Sequence, residues 1–192
     1  TDNGYSWGDE FFVADGQGGS TNAMTTGFGD AAIVADRKKN RLLVMMVCGR
    51  TVCWNGRWTP EKSLTDDAVN RVARLYATYD KAHKKWVWSQ PEEVTNSIYN
   101  LFLDENGNPT VSSLFIGSGK ICQSRVVKKG RYYRLYCSMW TRDEGNRVIY
   151  SDDFGGSWQV LGKVADRPAP YGDEPKIEEL PDGTVVLSSR KG

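Results

Sequence analysis

The stretch Ser151-Asp152-Asp153-Phe154-Gly155-Gly156-Ser157-Trp158 restricts the possible folds of this 192-residue chain more than any other. Its spacing, Ser-x-Asp-x-Gly-x-Ser-Trp, has a direct physical reading. Aspartate and serine side chains take up hydrogen bonds from nearby backbone N–H groups and close a turn. Gly155 supplies a backbone angle that other residues resist. Trp158 then opens a strand and sets a large apolar ring beneath the turn. Arg147-Val148-Ile149-Tyr150 precedes it and Gln159-Val160-Leu161 follows, so the region reads as a β-hairpin with a stapled turn. The pattern recurs at the start of the chain. Asp2, Gly4, Ser6 and Trp7 keep the spacing of Asp153, Gly155, Ser157 and Trp158, without the leading serine. Two copies of an eight-residue pattern signal an internal repeat. A chain seldom begins inside a turn motif, so the sequence is expected to be a piece of a longer one.

Between the two copies the chain reads as strands and polar turns. Residues 30–36 form a strand, 37–40 a turn, and 41–48 a return strand. The return strand's near-continuous apolar run (Leu42-Leu43-Val44-Met45-Met46-Val47-Cys48) suits a sheet covered on both faces. A polar loop over 49–70 carries Trp54 and Trp58. Strands are predicted at 71–79 and 85–88, joined by a turn at Asp80–Lys84. That turn sits where a third copy would fall but keeps none of its Asp/Gly spacing. A second unit repeats the plan with 110–116, 117–123, 131–140, 147–151 and 158–161. The two copies stand 151 residues apart, with the degenerate one near midway, giving a period of about 70 residues. Helical periodicity is weak throughout, which excludes an α/β fold.

Charge narrows the function classes. Lysine plus arginine number 25 and aspartate plus glutamate 24, so no charge excess points to nucleic acid or an anionic membrane. No apolar run is long enough for a transmembrane helix. Cysteines stand at 48, 53, 122 and 137. None has the close pairing of a zinc site, and a single histidine makes a Cys/His cluster improbable. Cys122 and Cys137 fall on neighbouring strands; buried free thiols are expected there in preference to a disulfide.

The residues with chemical potential lie in Gly172-Asp173-Glu174-Pro175 through Arg190. This is a hairpin: strand 174–180, a Pro-Asp-Gly turn, strand 184–190. Glu174 and Arg190 fall near the same end, where a carboxylate and a guanidinium can converge. Read bare, the pair also fits an ordinary surface hairpin with edge charges.

These motifs together resemble the sialidase (neuraminidase) family. Ser151–Trp158 resembles the Asp-box of sialidases and related six-bladed β-propellers. The 173–190 segment resembles the family's Asn/Asp-Glu-x-x-x-x-Glu-Leu-x-Asp-Gly pattern followed by a strand ending in arginine. The resemblance implies an all-β, six-bladed β-propeller. Residues 1–192 would be a central portion of about three blades within one catalytic domain. It implies that Glu174 activates a tyrosine nucleophile, because a phenol with a pKa near 10 needs an adjacent base. It makes Arg190 one of three arginines that grip a sialic acid carboxylate, a task suited to a planar bidentate fork. Gly29-Asp30-Ala31 resembles the family's Gly-Asp-Pro, which makes Asp30 a sugar-hydroxyl contact, with alanine in place of proline. Gly117–Gln123 resembles a strand beside the substrate, with Gln123 a candidate contact. Trp140 aligns loosely with an aromatic lining the site, although core packing also explains it. The tyrosine nucleophile, the acid aspartate and the other two arginines have no match here; Tyr171 does not fit the tyrosine position. No cofactor or metal is implied. The implied partners are sialylated glycans, acted on by a secreted, periplasmic or cell-surface monomer. A non-catalytic Asp-box propeller and another Asp-box glycosidase are the alternatives, as is intramolecular trans-sialidase rather than hydrolase chemistry.

Overall fold

The predicted turn chemistry and strand alternation become three sheets, antiparallel apart from one short parallel pair, packed one on the next. The structure is a computed structural model and describes residues 3–19, 23–50 and 70–191. Asp2, Cys53, Trp54 and Trp58 lie outside the described residues.

The first sheet contains β1 (Phe28–Ala35), β2 (Arg41–Cys48), β3 (Arg71–Asp80), β4 (Lys85–Trp88) and the short β5 (Glu92–Glu93). A five-residue helix, α1 (Thr95–Tyr99), follows where only the end of a strand unit was expected. The next strands are β6 (Leu114–Ile116), β7 (Gly119–Lys120), β8 (Cys122–Lys129), β9 (Tyr132–Thr141), β10 (Gly145–Ser151) and β11 (Gln159–Val160). β6 and β8 both pair with β9, and β10 and β11 complete this second sheet. Between β6 and β8 the chain leaves the sheet, and β7 instead pairs in parallel with β1 of the first. The third sheet is the hairpin β12 (Gly172–Glu179) and β13 (Val185–Lys191). No described helix is long and apolar enough to cross a membrane.

The apolar run of β2 is explained by its central place. Leu43 and Met45 face the main core, which the second sheet closes with Leu114, Leu135, Cys137, Met139 and Ile149. Val44, Met46 and Cys48 face the opposite side, against Ala73 and Leu75. A separate cluster of Cys122, Tyr136, Val148 and Ile177 joins the second sheet to the third hairpin. Side chains alternate across a strand, so one central sheet closes two cores. Helix α1 plugs the main core with Ile98 and Tyr99. The Tyr99 hydroxyl donates to the Asn70 carbonyl at 2.9 Å, which satisfies its polar end.

The same alternation settles the cysteines. Cys122 stands opposite Tyr136 in the β8–β9 register, so Cys137 points to the other face. Cys48, Cys122 and Cys137 are buried free thiols. Burial pushes the Cys137 thiol up to about 12.

Turn 151–158 closes as its residue types require. The Asp153 carboxylate accepts from the Ser157 N–H at 2.8 Å and from the Ser157 hydroxyl at 2.7 Å. Ser151 Oγ donates to Asp153 at 2.7 Å and accepts the Gly155 N–H at 2.7 Å. Phe154 and Gly155 take φ of 64° and 83°, and their counterparts Asn3 and Gly4 take 58° and 84°. At these two positions the repeat seen in the sequence is also a repeat of backbone angle. Asp80 keeps part of the device without the glycine. Its carboxylate accepts from the N–H groups of Ala82 at 2.9 Å and His83 at 3.2 Å.

Candidate active site

The site is built on the first strands of the sheets, because these strands are bulged. In β12, Asp173 stands opposite Arg190 and Lys176 opposite Ser188, so Glu174 and Pro175 together face the single residue Ser189. In β1, Gly29 stands opposite Val47 and Ala32 opposite Met45, so Asp30 and Ala31 share Met46. Each bulge opens on a residue with positive φ, 38° at Glu174 and 48° at Asp30. A non-glycine residue in this region is strained, and such strain collects where a side chain must be re-aimed. The bulge turns Glu174 and Asp30 out of the pleat into solvent.

Asp30 and Glu174 also share a level along the molecule. β1 runs parallel to β7, with Ala32 opposite Gly119. Lys176 Nζ donates to the Ser118 carbonyl, and a Cβ on Gly117 would lie 2.6 Å from the Pro175 carbonyl oxygen. Residues 30, 117 and 174 therefore lie at one end of three side-by-side strands. Gly117 has no side chain because the β12 backbone occupies that space.

At this end Arg190 pairs with two carboxylates. Its Nη1 lies 3.0 Å from Glu174 Oε2, and its Nη2 donates to Asp173 Oδ2 at 2.5 Å. The other Asp173 oxygen accepts the Glu174 N–H at 2.9 Å. Asp173 thus holds the guanidinium and the bulge together, a role the sequence reading did not assign. Its only signal there was an acidic residue next to the expected glutamate. The hydrogen bond that Arg190 donates to Asp173 and then the charge of Glu174 hold its guanidinium above its ordinary range. Glu174 and Arg190 are exposed, whereas Asp173 is half-buried. A guanidinium has five N–H donors, so donors remain after both contacts.

Trp140 stacks on Phe115 across the β6–β9 pair, with ring centroids 5.1 Å apart and planes inclined by 20°. It lies on the same face of β9 as Ser138, whose hydroxyl donates to the Pro175 carbonyl at 3.2 Å. That face looks toward the bulged end of β12. Asn146, opposite Trp140, donates to Ser189 Oγ at 2.7 Å and fastens the end of β13 to the second sheet.

The structure does not bring Gln123 to this end. It lies six residues along the strand from Gly117, beside Glu179 rather than Glu174. Its side-chain oxygen accepts the Arg37 N–H at 2.9 Å and its amide donates to Asp36 at 3.3 Å. Both ends of the side chain are thereby engaged in anchoring the turn after β1. A cavity of about 680 Å³ also lies elsewhere, lined by Asp104, Asn106, Glu144 and Arg167 among others. There the buried Glu144 carboxylate takes a hydrogen bond from Arg167 at 2.8 Å, and Arg147 donates to the Val164 carbonyl at 2.6 Å. These charges hold a loop, and they leave the Glu174–Arg190 end as the candidate site.

Stacked antiparallel sheets with few helices, bulged at their leading strands, define a fold similar to that of sialidase domains. A curated sialidase of Micromonospora viridifaciens is 29% identical over 192 residues, covering 99% of this chain and 27% of that protein. The chain therefore spans about a quarter of that relative's length. The intramolecular trans-sialidase of Ruminococcus gnavus, solved with oseltamivir carboxylate, superposes with a TM-score of 0.62 at 13% identity, covering 100% of this chain and 58% of that one. Trypanosoma rangeli sialidase, solved with the inhibitor DANA, gives 0.57 at 17% identity over 85% of this chain and 25% of its own. A leech intramolecular trans-sialidase, solved with 2,7-anhydro-Neu5Ac, gives 0.57 at 13% identity over 91% and 36%. No family model matches the chain. The sialidase resemblance drawn from the motifs is borne out by the similarity in sequence and in fold.

Proposed function

We propose that residues 1–192 form a central portion, about three blades, of a six-bladed β-propeller catalytic domain. Its activity is that of an exo-α-sialidase, releasing terminal sialic acids from glycoconjugates with retention. The single observation that carries this reading is the Glu174–Arg190 pair, 3.0 Å apart on a strained bulge. A hairpin with only a scaffold role needs neither the bulge nor the pair.

In this reading Glu174 accepts the proton of a tyrosine supplied from outside this sequence, and the phenolate attacks the anomeric carbon while the glycosidic bond breaks and its oxygen leaves with a proton from an aspartate that also lies outside this sequence. A neutral phenol avoids the repulsion that a carboxylate nucleophile would meet from the substrate carboxylate, and tyrosine is the known sialidase departure from two-carboxylate glycosidases. Arg190 turns its remaining N–H donors to the sialic acid carboxylate. Asp173 keeps Arg190 oriented and Glu174 projected. Asp30, at the same level, accepts a hydrogen bond from a sugar hydroxyl, and Trp140 with Phe115 supplies an apolar wall. Water then releases the sugar; attack by a hydroxyl of the same sugar would give an intramolecular transfer product instead. Sialylated glycans as partners imply a secreted, periplasmic or cell-surface location. No cofactor enters the scheme.

The test is hydrolysis of a fluorogenic sialoside by the full-length protein. Glu174→Ala is expected to lower kcat by about 10²–10⁴-fold, the usual worth of a positioned base. Arg190→Ala is expected to act mainly on KM. Wild-type turnover by either variant would sink the assignment. The 192 residues alone are expected to show no turnover, since the nucleophile lies outside them.

A further inference from the structure

The near-neutral composition conceals a segregation of charge. β8 continues in the direction of β7, which is parallel to β1, so the turns that follow β1 and β8 fall at the same end of the molecule. That end is opposite Glu174. The first turn carries Arg37, Lys38 and Lys39; the second carries Lys128, Lys129 and Arg131. All six are exposed. The turns are joined through two tyrosine rings. Arg37 and Lys128 lie over Tyr133 at 4.8 and 5.6 Å, and Lys39 and Arg131 over Tyr132 at 5.0 Å each. Two carboxylates beside the turns already serve other arginines. Asp36 takes Arg41 at 2.9 Å, and Asp152 takes both ends of Arg134 at 2.8 and 2.7 Å. Six cations thus stand at one end of the molecule, around rings on the two faces of β9, with Asp36 and Asp152 committed elsewhere.

We propose that this end of the molecule docks an anionic polysaccharide, bearing sulfates or carboxylates along a flexible chain. Several cations within a Debye length of one another attract a polyanion cooperatively. The ring geometry favours a glycan over other polyanions. Single-stranded nucleic acid needs open aromatic faces for its bases, and here cations cover the faces. A bilayer needs an amphipathic anchor, and the rings lie beneath the cations instead of projecting past them. The surface stands independently of the Glu174 site, and docking there would raise the local concentration of glycan on the same protein.

The experiment is fluorescence anisotropy of a labelled heparin oligosaccharide with the full-length protein. Binding is expected to weaken about tenfold or more between roughly 50 and 200 mM salt, as for ligands that displace several counterions. Lys38→Glu, Lys39→Glu, Lys128→Glu and Arg131→Glu combined are expected to abolish binding, whereas the same four positions exchanged Lys→Arg and Arg→Lys retain it. Glu174→Ala is expected to bind as wild type. The proposal is overturned by no heparin binding, by equal binding to the charge-reversed variant, or by binding insensitive to salt. Tighter binding to a single-stranded DNA of equal charge, or to vesicles rich in phosphatidylserine, would overturn it too. If the charge-reversed variant fails to unfold cooperatively, the conservative variant and the salt series decide.

Discussion

Arg74→Ala is expected to loosen the joint between the first two sheets, and its cost follows from where its hydrogen bonds go. Nη1 donates to the carbonyls of Gly155 at 2.6 Å and Gly156 at 2.7 Å, within the turn that carries Asp153. Nε and Nη2 form a fork on Glu92 at 3.0 and 3.1 Å. The arginine side chain is 15% exposed and the glutamate 60%. Charged hydrogen bonds contribute about 1.5–3 kcal/mol each, and partial hydration of the freed carbonyls brings the two together to about 2–3 kcal/mol. The glutamate half, being exposed, adds under about 1 kcal/mol. For a chain of this size that is a loss of about 5–10 °C in Tm. Thermal and urea unfolding monitored by circular dichroism measure it, with an unchanged urea m-value showing that only stability moved. Glu92→Gln is expected to cost less than a third as much, and Arg74→Lys to recover part of the loss. If Glu92→Gln destabilises as much as Arg74→Ala, the ion pair and not the carbonyl contact joins the sheets, and the reasoning fails.

Three further outcomes can be measured. Asp173→Ala should lower sialoside kcat/KM about tenfold or more in the full-length protein, with Asp173→Asn retaining more activity because an amide oxygen can still accept the Glu174 N–H; equal losses in both variants would count against hydrogen-bond positioning. Acid should destabilise the Asp152–Asp153 turn. The Arg134 hydrogen bond holds Asp152 below its ordinary 3.8; burial raises Asp153, but hydrogen bonds from the Ser157 N–H and the Ser151 and Ser157 hydroxyls outweigh it. A lowered folded pKa means stability present above 3.8 and lost as pH falls through the folded value, so Tm should hold near neutral pH and drop below about 3.8, less steeply in Asp153→Asn. Cys48 and Cys137, whose thiols burial pushes up to about 12, should resist a thiol reagent until the protein is unfolded, and oxidant should form no Cys122–Cys137 disulfide.

Much of the strand pattern was legible because it rests on local chemistry. The run 41–48 became β2, and its unbroken apolar character had the cause assigned to it, a sheet covered on both faces. Turn 151–158 closed through the side chains named from its spacing. The Glu174–Arg190 pair was placed at one end of a hairpin by counting residues, but counting alone misses the bulge. An unbulged register places Glu174 across from Arg190, whereas the extra residue sets Glu174 and Pro175 against Ser189, turns Glu174 outward and puts Asp173 across from Arg190. The helix 95–99 had no sequence signal, since five residues are too few to show a period. It forms because Ile98 and Tyr99 fill the core between two sheets.

The sequence by itself determined the all-β class, the repeated stapled turn and the hairpin that carries Glu174 and Arg190. These depend on side chains acting on backbone within a few residues. Only the tertiary structure decided which residues share an end. It set Asp30 level with Glu174, moved Gln123 to the turn after β1, gave Asp173 its hold on Arg190, and gathered six cations from two distant turns at one end of the molecule. The Asp173 contact depends on the bulged antiparallel register of β12 and β13, and the others on packing between strands about 90 residues apart, such as Ala32 with Gly119. No local pattern in a chain with a net charge of +1 encodes that register, because charge segregation arises only when distant turns are brought to one end.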